Sequence, residues 1–304
     1  MHEMGLIGLG RMGANMARRL SRKGFALVVH NRTHPVAQEL AAEEANMLAV
    51  PSLDELVGTL AAPRIVWLML PAGEATEQAI QQLSGLLAPG DLLVNGANAY
   101  YQDSMRHAEE LAERNIRYVD AGVSGGIWGL ENGYALMLGG MPHSIARLKP
   151  YIEALAPAPD RGWVHCGPAG AGHFAKMVHN GIEYGMMQAL AEGLALMKSK
   201  TEFNYDLAAV TESWRHGSVV RSWLLDLTAE VLKRDQNLDQ IEPYVADSGE
   251  GRWTALEAIN QGVPAPVMSL ALMMRYATQG SNDYPAKLLA MMRNAFGGHQ
   301  IGEK

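Results

Sequence analysis

A glycine-rich hexapeptide near the N-terminus restricts the fold of this 304-residue chain more than any other feature. Gly8-Leu-Gly-Arg-Met-Gly13 follows an apolar run at residues 4–8 and opens a helical pattern at 13–23. In G-x-G-x-x-G the first glycine allows a tight turn, the second lets a pyrophosphate approach the backbone, and the third lets helix and strand pack closely. The helix N-terminus offers N–H groups and partial positive charge to phosphates. The motif therefore predicts a dinucleotide site at Gly8, Gly10, Arg11, Met12 and Gly13.

The residues that follow the second predicted strand, 26–30, indicate which dinucleotide is preferred. An acidic residue about 20 residues after the glycines would accept hydrogen bonds from the ribose 2′-hydroxyl. This chain has Asn31, Arg32 and Thr33 there instead. A guanidinium is a fork of donors suited to phosphate oxygens. The segment predicts NADP, with NAD possible, and the alternative for Arg32 is an ordinary solvated surface cation.

Short apolar runs alternate with helical patterns through the first half of the chain. Residues 65–70 are a fully apolar run before Pro71, as in a central parallel strand, and Ser52 and Glu55 have the capping-box spacing of a helix start. The alternation predicts an α/β N-terminal Rossmann domain with a doubly wound, mostly parallel sheet. From Gly167 onward only helical periodicity is found, which predicts an all-α C-terminal domain. The predicted domains are residues 1–166 and 167–304.

Composition excludes several classes of protein. Lys and Arg number 25 against 32 Asp and Glu, and the net charge of −7 argues against a nucleic-acid partner. The one cysteine, Cys166, excludes a disulfide framework and a cysteine-clustered metal site, and we expect no metal. No apolar run approaches the length of a membrane span, and the N-terminus lacks the layout of a signal peptide. We therefore expect a soluble, cytoplasmic protein.

A run of polar side chains in the second half has the spacing of one helical face. Its members stand at i, i+3, i+4, i+7 and i+8, and we call them the polar stripe: Lys176, His179, Asn180, Glu183 and Tyr184. A solvated face is the ordinary alternative. Because His and Asn are indifferent surface helix formers and the helix continues into apolar residues, the pattern favours a stripe that faces a ligand.

Three segments together resemble 6-phosphogluconate dehydrogenase, of the β-hydroxyacid dehydrogenase superfamily. They are the N-terminal glycine motif, the turn at residues 122–126 and the stretch 173–184. Asn98, residues 251–254, Arg275 and residues 293–299 are further matches, and the length resembles the short form of the family. The chain departs from the family pattern at two positions. It has Ala99 where the family often has a serine, and it has Ser248 near the position where the long forms have a phosphate-binding lysine.

The resemblance implies an NAD(P)-dependent enzyme of gluconate metabolism and the pentose phosphate pathway, which converts 6-phosphogluconate to ribulose 5-phosphate and carbon dioxide. Lys176 would be the general base, Glu183 would protonate C1, and His179 and Asn180 would orient hydroxyls. The C-terminal domain would bind the phosphorylated sugar acid and form a homodimer or homotetramer. The resemblance implies a substrate site that comprises Asn98 (also facing the cofactor), Ser124, Gly125, Gly126, Lys176, Asn180, Glu183, Tyr184 and Arg275, with Arg293 and His299 from a second subunit.

Two other functions stay open. Another β-hydroxyacid dehydrogenase, acting on a small 3-hydroxy acid, would share the fingerprint, the glycine turn and the lysine. A catalytically idle NADP-binding protein would have no need for acid, base and orienting groups on one helical face.

Overall fold

The structure, a computed structural model, describes residues 3–280 and 284–297. The chain divides into two compact units, Met1–His179 and Asn180–Lys304. The predicted boundary between residues 166 and 167 lies thirteen residues before this division and stays a prediction.

The first unit is built on a sheet of eight strands within the described residues. Their order across the sheet is β3-β2-β1-β4-β5-β6-β7-β8, and every neighbouring pair is parallel except β6 and β7. The strands are β1 (Met4–Ile7), β2 (Leu27–His30), β3 (Met47–Ala49), β4 (Ile65–Leu68), β5 (Leu92–Asn95), β6 (Arg117–Ser124), β7 (Ala135–Gly140) and β8 (Trp163–Gly167). The predicted doubly wound, mostly parallel sheet is confirmed.

Helices cover both faces of this sheet. Successive residues of a strand point to opposite faces, and Leu6 and Ile7 of β1 accordingly belong to two separate apolar cores. The helices are α1 (Arg11–Arg22), α2 (His34–Glu43), α3 (Leu53–Thr59), α4 (Glu74–Leu86), α5 (Tyr101–Ala112), α6 (Gly129–Asn132) and α7 (Pro142–Leu155). The predicted cap is present, because the Ser52 side chain accepts a hydrogen bond from the Glu55 N–H at 3.1 Å.

The strand order places a topological switch point beside β1. Its neighbours are β2 on one side and β4 on the other, so the loops after β1 and β4 leave the sheet in opposite directions. Ligands of open α/β sheets bind in the crevice outside the carboxyl ends of the strands at such a point.

A long helix, α8 (Ala171–Ser199), begins in the first unit and continues into the second. The second unit adds α9 (Leu207–Trp214), α10 (Trp223–Arg234), α11 (Glu250–Asn260), α12 (Pro266–Ala277) and α13 (Tyr284–Gly297). No strand follows β8 in the described residues, which confirms the all-α prediction. A small core of Leu194, Leu207 and Leu232 joins α8, α9 and α10. Among the described helices, none combines the length and apolarity that a membrane crossing needs.

Candidate functional site

A cleft of about 660 Å³ lies at the switch point of the first unit. We call it the dinucleotide cleft. It is lined by the loops after β1, β2, β4 and β5. All nine residues predicted to bind the cofactor line it: Gly8, Gly10, Arg11, Met12, Gly13, Asn31, Arg32, Thr33 and Asn98.

The three glycines of the fingerprint differ in what surrounds them. Gly8 has a φ of +93°, and a Cβ there would lie 2.4 Å from the Met69 carbonyl oxygen. At Gly13 a Cβ would lie 2.0 Å from the Gly8 carbonyl oxygen, so this glycine allows α1 to start against β1. Gly10 precedes α1, has no atom within 4 Å of a Cβ position, and lines the cleft. The helix N-terminus at Gly10 has no side-chain cap and no acidic residue in its first turn, which suits an anion.

The segment after β2 has one polar residue with a structural role, Asn31, and two exposed polar residues, Arg32 and Thr33. The Asn31 Oδ1 accepts a hydrogen bond from the Leu9 N–H at 3.1 Å, and its Nδ2 donates to the Thr33 carbonyl at 3.1 Å. Asn31 thereby fixes the glycine loop to the end of β2. Arg32 is exposed, and its guanidinium forms no ion pair within the part of the chain that the structure describes. Its donors are therefore available to a phosphate.

Asn98 joins two loops at the carboxyl edge of the sheet. Its Nδ2 donates to the Val123 carbonyl at 3.1 Å, and its Oδ1 accepts from the Val123 N–H at 2.9 Å. The backbone φ of Asn98 is +49°. The side chain predicted to contact ligands thus also holds the end of β6, where Ser124 and the turn Gly125–Gly126 begin.

One face of β6 carries Asp120, Gly122 and Ser124, since alternate residues of a strand share a face. Helix α8 packs on this face. A Cβ at Gly122 would lie 2.4 Å from the Lys176 Cβ, so only glycine permits this approach. Lys176 is 5% exposed, and Ser124 is the next residue along the same row.

A buried polar network that the sequence did not predict surrounds the start of α8. Asp120, Ser104 and His173 are each no more than 1% exposed. The His173 Nδ1 lies 2.7 Å from the Ser104 Oγ, and burial lowers the pKa of His173. The sequence offered one signal, since Asp120 is a lone charge inside an apolar strand that leads to Ser124.

The second unit brings together two of the residues predicted to bind substrate. The Arg275 guanidinium lies 3.4 Å from the centre of the Tyr184 ring and donates to the Ala246 carbonyl at 3.0 Å. The Tyr184 hydroxyl lies 2.8 Å from the Ser248 Oγ, which donates to the Glu250 carboxylate. Because the single Ser248 proton goes to Glu250, the Tyr184 hydroxyl is the donor to Ser248.

The remaining predicted residues are placed as follows. Along α8, His179, Asn180 and Glu183 are each partly buried and Tyr184 is buried, unlike a solvated face. Arg293 is exposed on α13. His299 lies outside the described residues. No group of three or more metal-ligating side chains is found among the described residues.

Both units match known families. Residues 3–167 match the profile of the NAD binding domain of 6-phosphogluconate dehydrogenase, and residues 172–283 match that of its C-terminal domain. A Bacillus subtilis protein provisionally named 6-phosphogluconate dehydrogenase is 37% identical over 99% of this chain and 100% of its own length. The NAD(+)-dependent, decarboxylating 6-phosphogluconate dehydrogenase of Haloferax volcanii is 35% identical over 99% of each chain.

Solved structures give the same fold. The Plasmodium falciparum 6-phosphogluconate dehydrogenase, solved with NADP+ and with 6-phosphogluconate, has a TM-score of 0.83 and 32% identity. The match covers 99% of this chain but 66% of the Plasmodium chain. A 3-hydroxyisobutyrate dehydrogenase of Salmonella typhimurium has a TM-score of 0.74 at 23% identity, over 91% of this chain and 94% of its own. That likeness shows the shared fold alone.

Proposed function

Because the chain belongs to the 6-phosphogluconate dehydrogenase family, we propose that it oxidises 6-phosphogluconate with NADP and releases carbon dioxide, forming ribulose 5-phosphate. The relatives support an oxidoreductase with a nicotinamide cofactor. The decarboxylation and the identity of the substrate are the parts that need a test.

The observation that carries the proposal is the burial of Lys176 against Gly122 in the row that ends at Ser124. A lysine shielded from water in this way would suit proton transfer, because burial lowers the cost of its neutral form. The Ser124 hydroxyl and the N–H groups of Gly125 and Gly126 follow directly, and they can hold a carboxylate.

The residues present fit a nicotinamide dinucleotide. The open space beside Gly10 and the uncapped start of α1 suit a pyrophosphate, and Asn98 is the residue of the loop after β5 that would face the nicotinamide end. Arg32, with Asn31 and Thr33, would contact the 2′-phosphate and so favour NADP. A nicotinamide ring bound there would supply the acceptor for a hydride from C3 of the substrate.

Lys176 would remove the proton of the C3 hydroxyl as that carbon is oxidised. The product of this step is a β-keto acid, which loses carbon dioxide readily because its carbonyl accepts the electron pair. The protonated Lys176 would then stabilise the developing enolate oxygen, so the lysine acts first as base and then as acid.

The other members of the polar stripe have complementary roles in this proposal. Glu183 stands seven residues after Lys176 on α8, which in a helix means two turns along the same face. It would donate a proton to C1 of the enediol. Asn180 and His179 would orient the substrate hydroxyls.

The phosphate of the substrate would bind at Tyr184 and Arg275. Stacking on the Tyr184 ring orients the guanidinium, and the hydrogen bond to Ala246 uses only part of its donor capacity. Arg293 and His299 of a second subunit would complete the site, which requires at least a dimer. We place the enzyme in the cytoplasm, in the pentose phosphate pathway.

The test is an assay with 6-phosphogluconate and NADP that follows reduced nicotinamide and carbon dioxide together. Formation of both in equal amounts supports the proposal. Turnover of small 3-hydroxy acids only, without carbon dioxide from 6-phosphogluconate, would assign the chain to another β-hydroxyacid dehydrogenase. No turnover together with tight NADP binding would indicate an idle binding protein.

A further inference from the structure

The start of α8 is attached to the sheet by one buried carboxylate. The Gly170 N–H donates to the Asp120 Oδ1 at 2.6 Å, and the His173 N–H donates to the Asp120 Oδ2 at 2.7 Å. Asp120 is 0% exposed. Both oxygens of the side chain therefore bind backbone amides at the start of α8, one just before the helix and one in its first turn, where the helix dipole favours a negative charge.

Glycines make the space for this contact. Gly139 is paired with Asp120 across β6 and β7, and a Cβ at Gly139 would lie 2.4 Å from the Asp120 Oδ1. At Gly172 a Cβ would lie 2.7 Å from the Asp120 carbonyl oxygen. The sheet and the helix are thus in direct backbone contact around the carboxylate, and neither can shift without breaking its hydrogen bonds.

We propose that Asp120 is a positioning residue, which fixes the height of α8 on the sheet and thereby holds Lys176 at Gly122, beside Ser124. Gly122 lies two residues after Asp120 on the same strand face, about 7 Å away at the rise of a strand. Lys176 lies three residues after His173, about 4.5 Å along the helix. The hydrogen bonds to Asp120 fix the start of α8, and the packing against Gly122 fixes the helix at Lys176.

The inference rests on the proposed role of Lys176 as base. Reacting groups must be held close to their productive geometry, and a displacement of about 1 Å can cost about 100-fold in rate. An anchor of two charge-assisted hydrogen bonds, shielded from water, limits such a displacement.

The chain contains a matched control for Asp120. Asp91, which precedes β5, is also 0% exposed, and its carboxylate also accepts two backbone N–H bonds, from Arg64 at 2.5 Å and from Ala88 at 2.9 Å. It lies at the amino end of the strands, whereas Lys176 packs at the carboxyl half of β6. Asp91 also pairs with the Arg64 guanidinium at 3.1 Å, so Asp91→Asn perturbs at least as many buried contacts at a site away from the lysine.

The experiment compares Asp120→Asn with Asp91→Asn in the full chain, measuring Tm, the KM for NADP and kcat with 6-phosphogluconate. We expect both variants to have a lower Tm than the wild type. Asp120→Asn should lower kcat by about 10- to 100-fold with the KM for NADP changed less than about threefold. Asp91→Asn should keep kcat within about twofold of the wild type.

Gly139→Ala provides a second variant if Asp120→Asn does not fold. The added methyl group displaces the carboxylate and keeps its charge, and the same loss of kcat is expected. A kcat near that of the wild type in either variant, or equal loss in Asp91→Asn and Asp120→Asn, overturns the inference. If Lys176→Met is inactive while Asp120→Asn is fully active, only the inference fails. Wild-type protein without turnover of any 3-hydroxy acid rejects the proposed function and the inference together.

Discussion

A Cβ at Gly122 would come within 2.4 Å of the Cβ of Lys176, so β6 and α8 meet at a point where the strand has room only for glycine. Lys176 is 5% exposed, and Ser124 is the next residue after Gly122 on the same face of β6. The proposed role of Lys176 in proton transfer depends on this contact.

Replacement of Lys176 by methionine should abolish the proton transfer and leave the dinucleotide cleft intact. A general base alone commonly contributes about 100- to 10,000-fold, and Lys176 would also stabilise the enolate. We expect kcat to fall by at least about 1,000-fold while the Kd for NADPH, measured by fluorescence titration, is unchanged. Near-normal kcat in the variant would remove Lys176 from the mechanism.

Glu183→Gln should show whether Glu183, the proposed proton donor to C1, contributes to catalysis or only to substrate binding. The amide keeps the shape of the carboxyl group and cannot donate a proton in the same way. We expect kcat to fall while the KM for 6-phosphogluconate changes little. A raised KM with an unchanged kcat would show that Glu183 contributes only to binding. Glu192→Gln, at an exposed position of the same helix, is the control.

Arg32→Asp should reverse the preference for the cofactor. The variant loses a phosphate donor, repels the 2′-phosphate and gains an acceptor for the ribose hydroxyl. One charge-assisted hydrogen bond contributes about 1.5–3 kcal/mol, so NADP use should weaken by roughly 10- to 100-fold. The check is kcat/KM for NADP and NAD, beside Arg114→Asp, which exchanges another exposed arginine. An unchanged ratio would make Arg32 an ordinary surface cation.

Stability should fall as the pH drops below about 6.5, in part through His173. Burial lowers the pKa of His173 in the folded protein, so below the unfolded value the unfolded chain binds a proton that the folded chain does not. The resulting loss is at most about 1.4 kcal/mol per pH unit, between the unfolded and the folded pKa. Urea unfolding at pH 7.5 and 5.5 should show a smaller loss for His173→Asn than for wild type. His143→Asn, at an exposed histidine, should lose as much as wild type, and equal losses in all three proteins would contradict the assignment.

Local sequence was sufficient to predict the glycine loop and the cap of α3. Gly8, Gly10 and Gly13 shape a single loop and lie within six residues of one another. Ser52 caps α3 by accepting a hydrogen bond from Glu55, only three residues further along the chain. The polar stripe was visible for the same reason, because helical spacing alone sets which residues share a face. The alternation of strands and helices likewise predicted the fold class, although α2, β3, α6, β7 and α7 were not predicted. The strand β3 has only three residues, and Pro150 interrupts the helical pattern of α7. The strand β7 is defined by its pairing with β6 rather than by its own residues.

Other features depend on contacts between residues far apart in the chain, and no local pattern predicts them. Asn98 was predicted as a ligand contact, and the fold also makes it the link to Val123, 25 residues away. Asp120 accepts hydrogen bonds from two backbone amides at the start of α8, which lie 50 and 53 residues further along the chain. Ser104 and His173, which form a hydrogen bond, are 69 residues apart. The sequence by itself determined which chemical groups the chain carries and which of them share a helix face or a turn. Only the tertiary structure decided which buried polar groups pair, because a buried carboxylate or imidazole must find its partner wherever packing brings one within hydrogen-bonding distance.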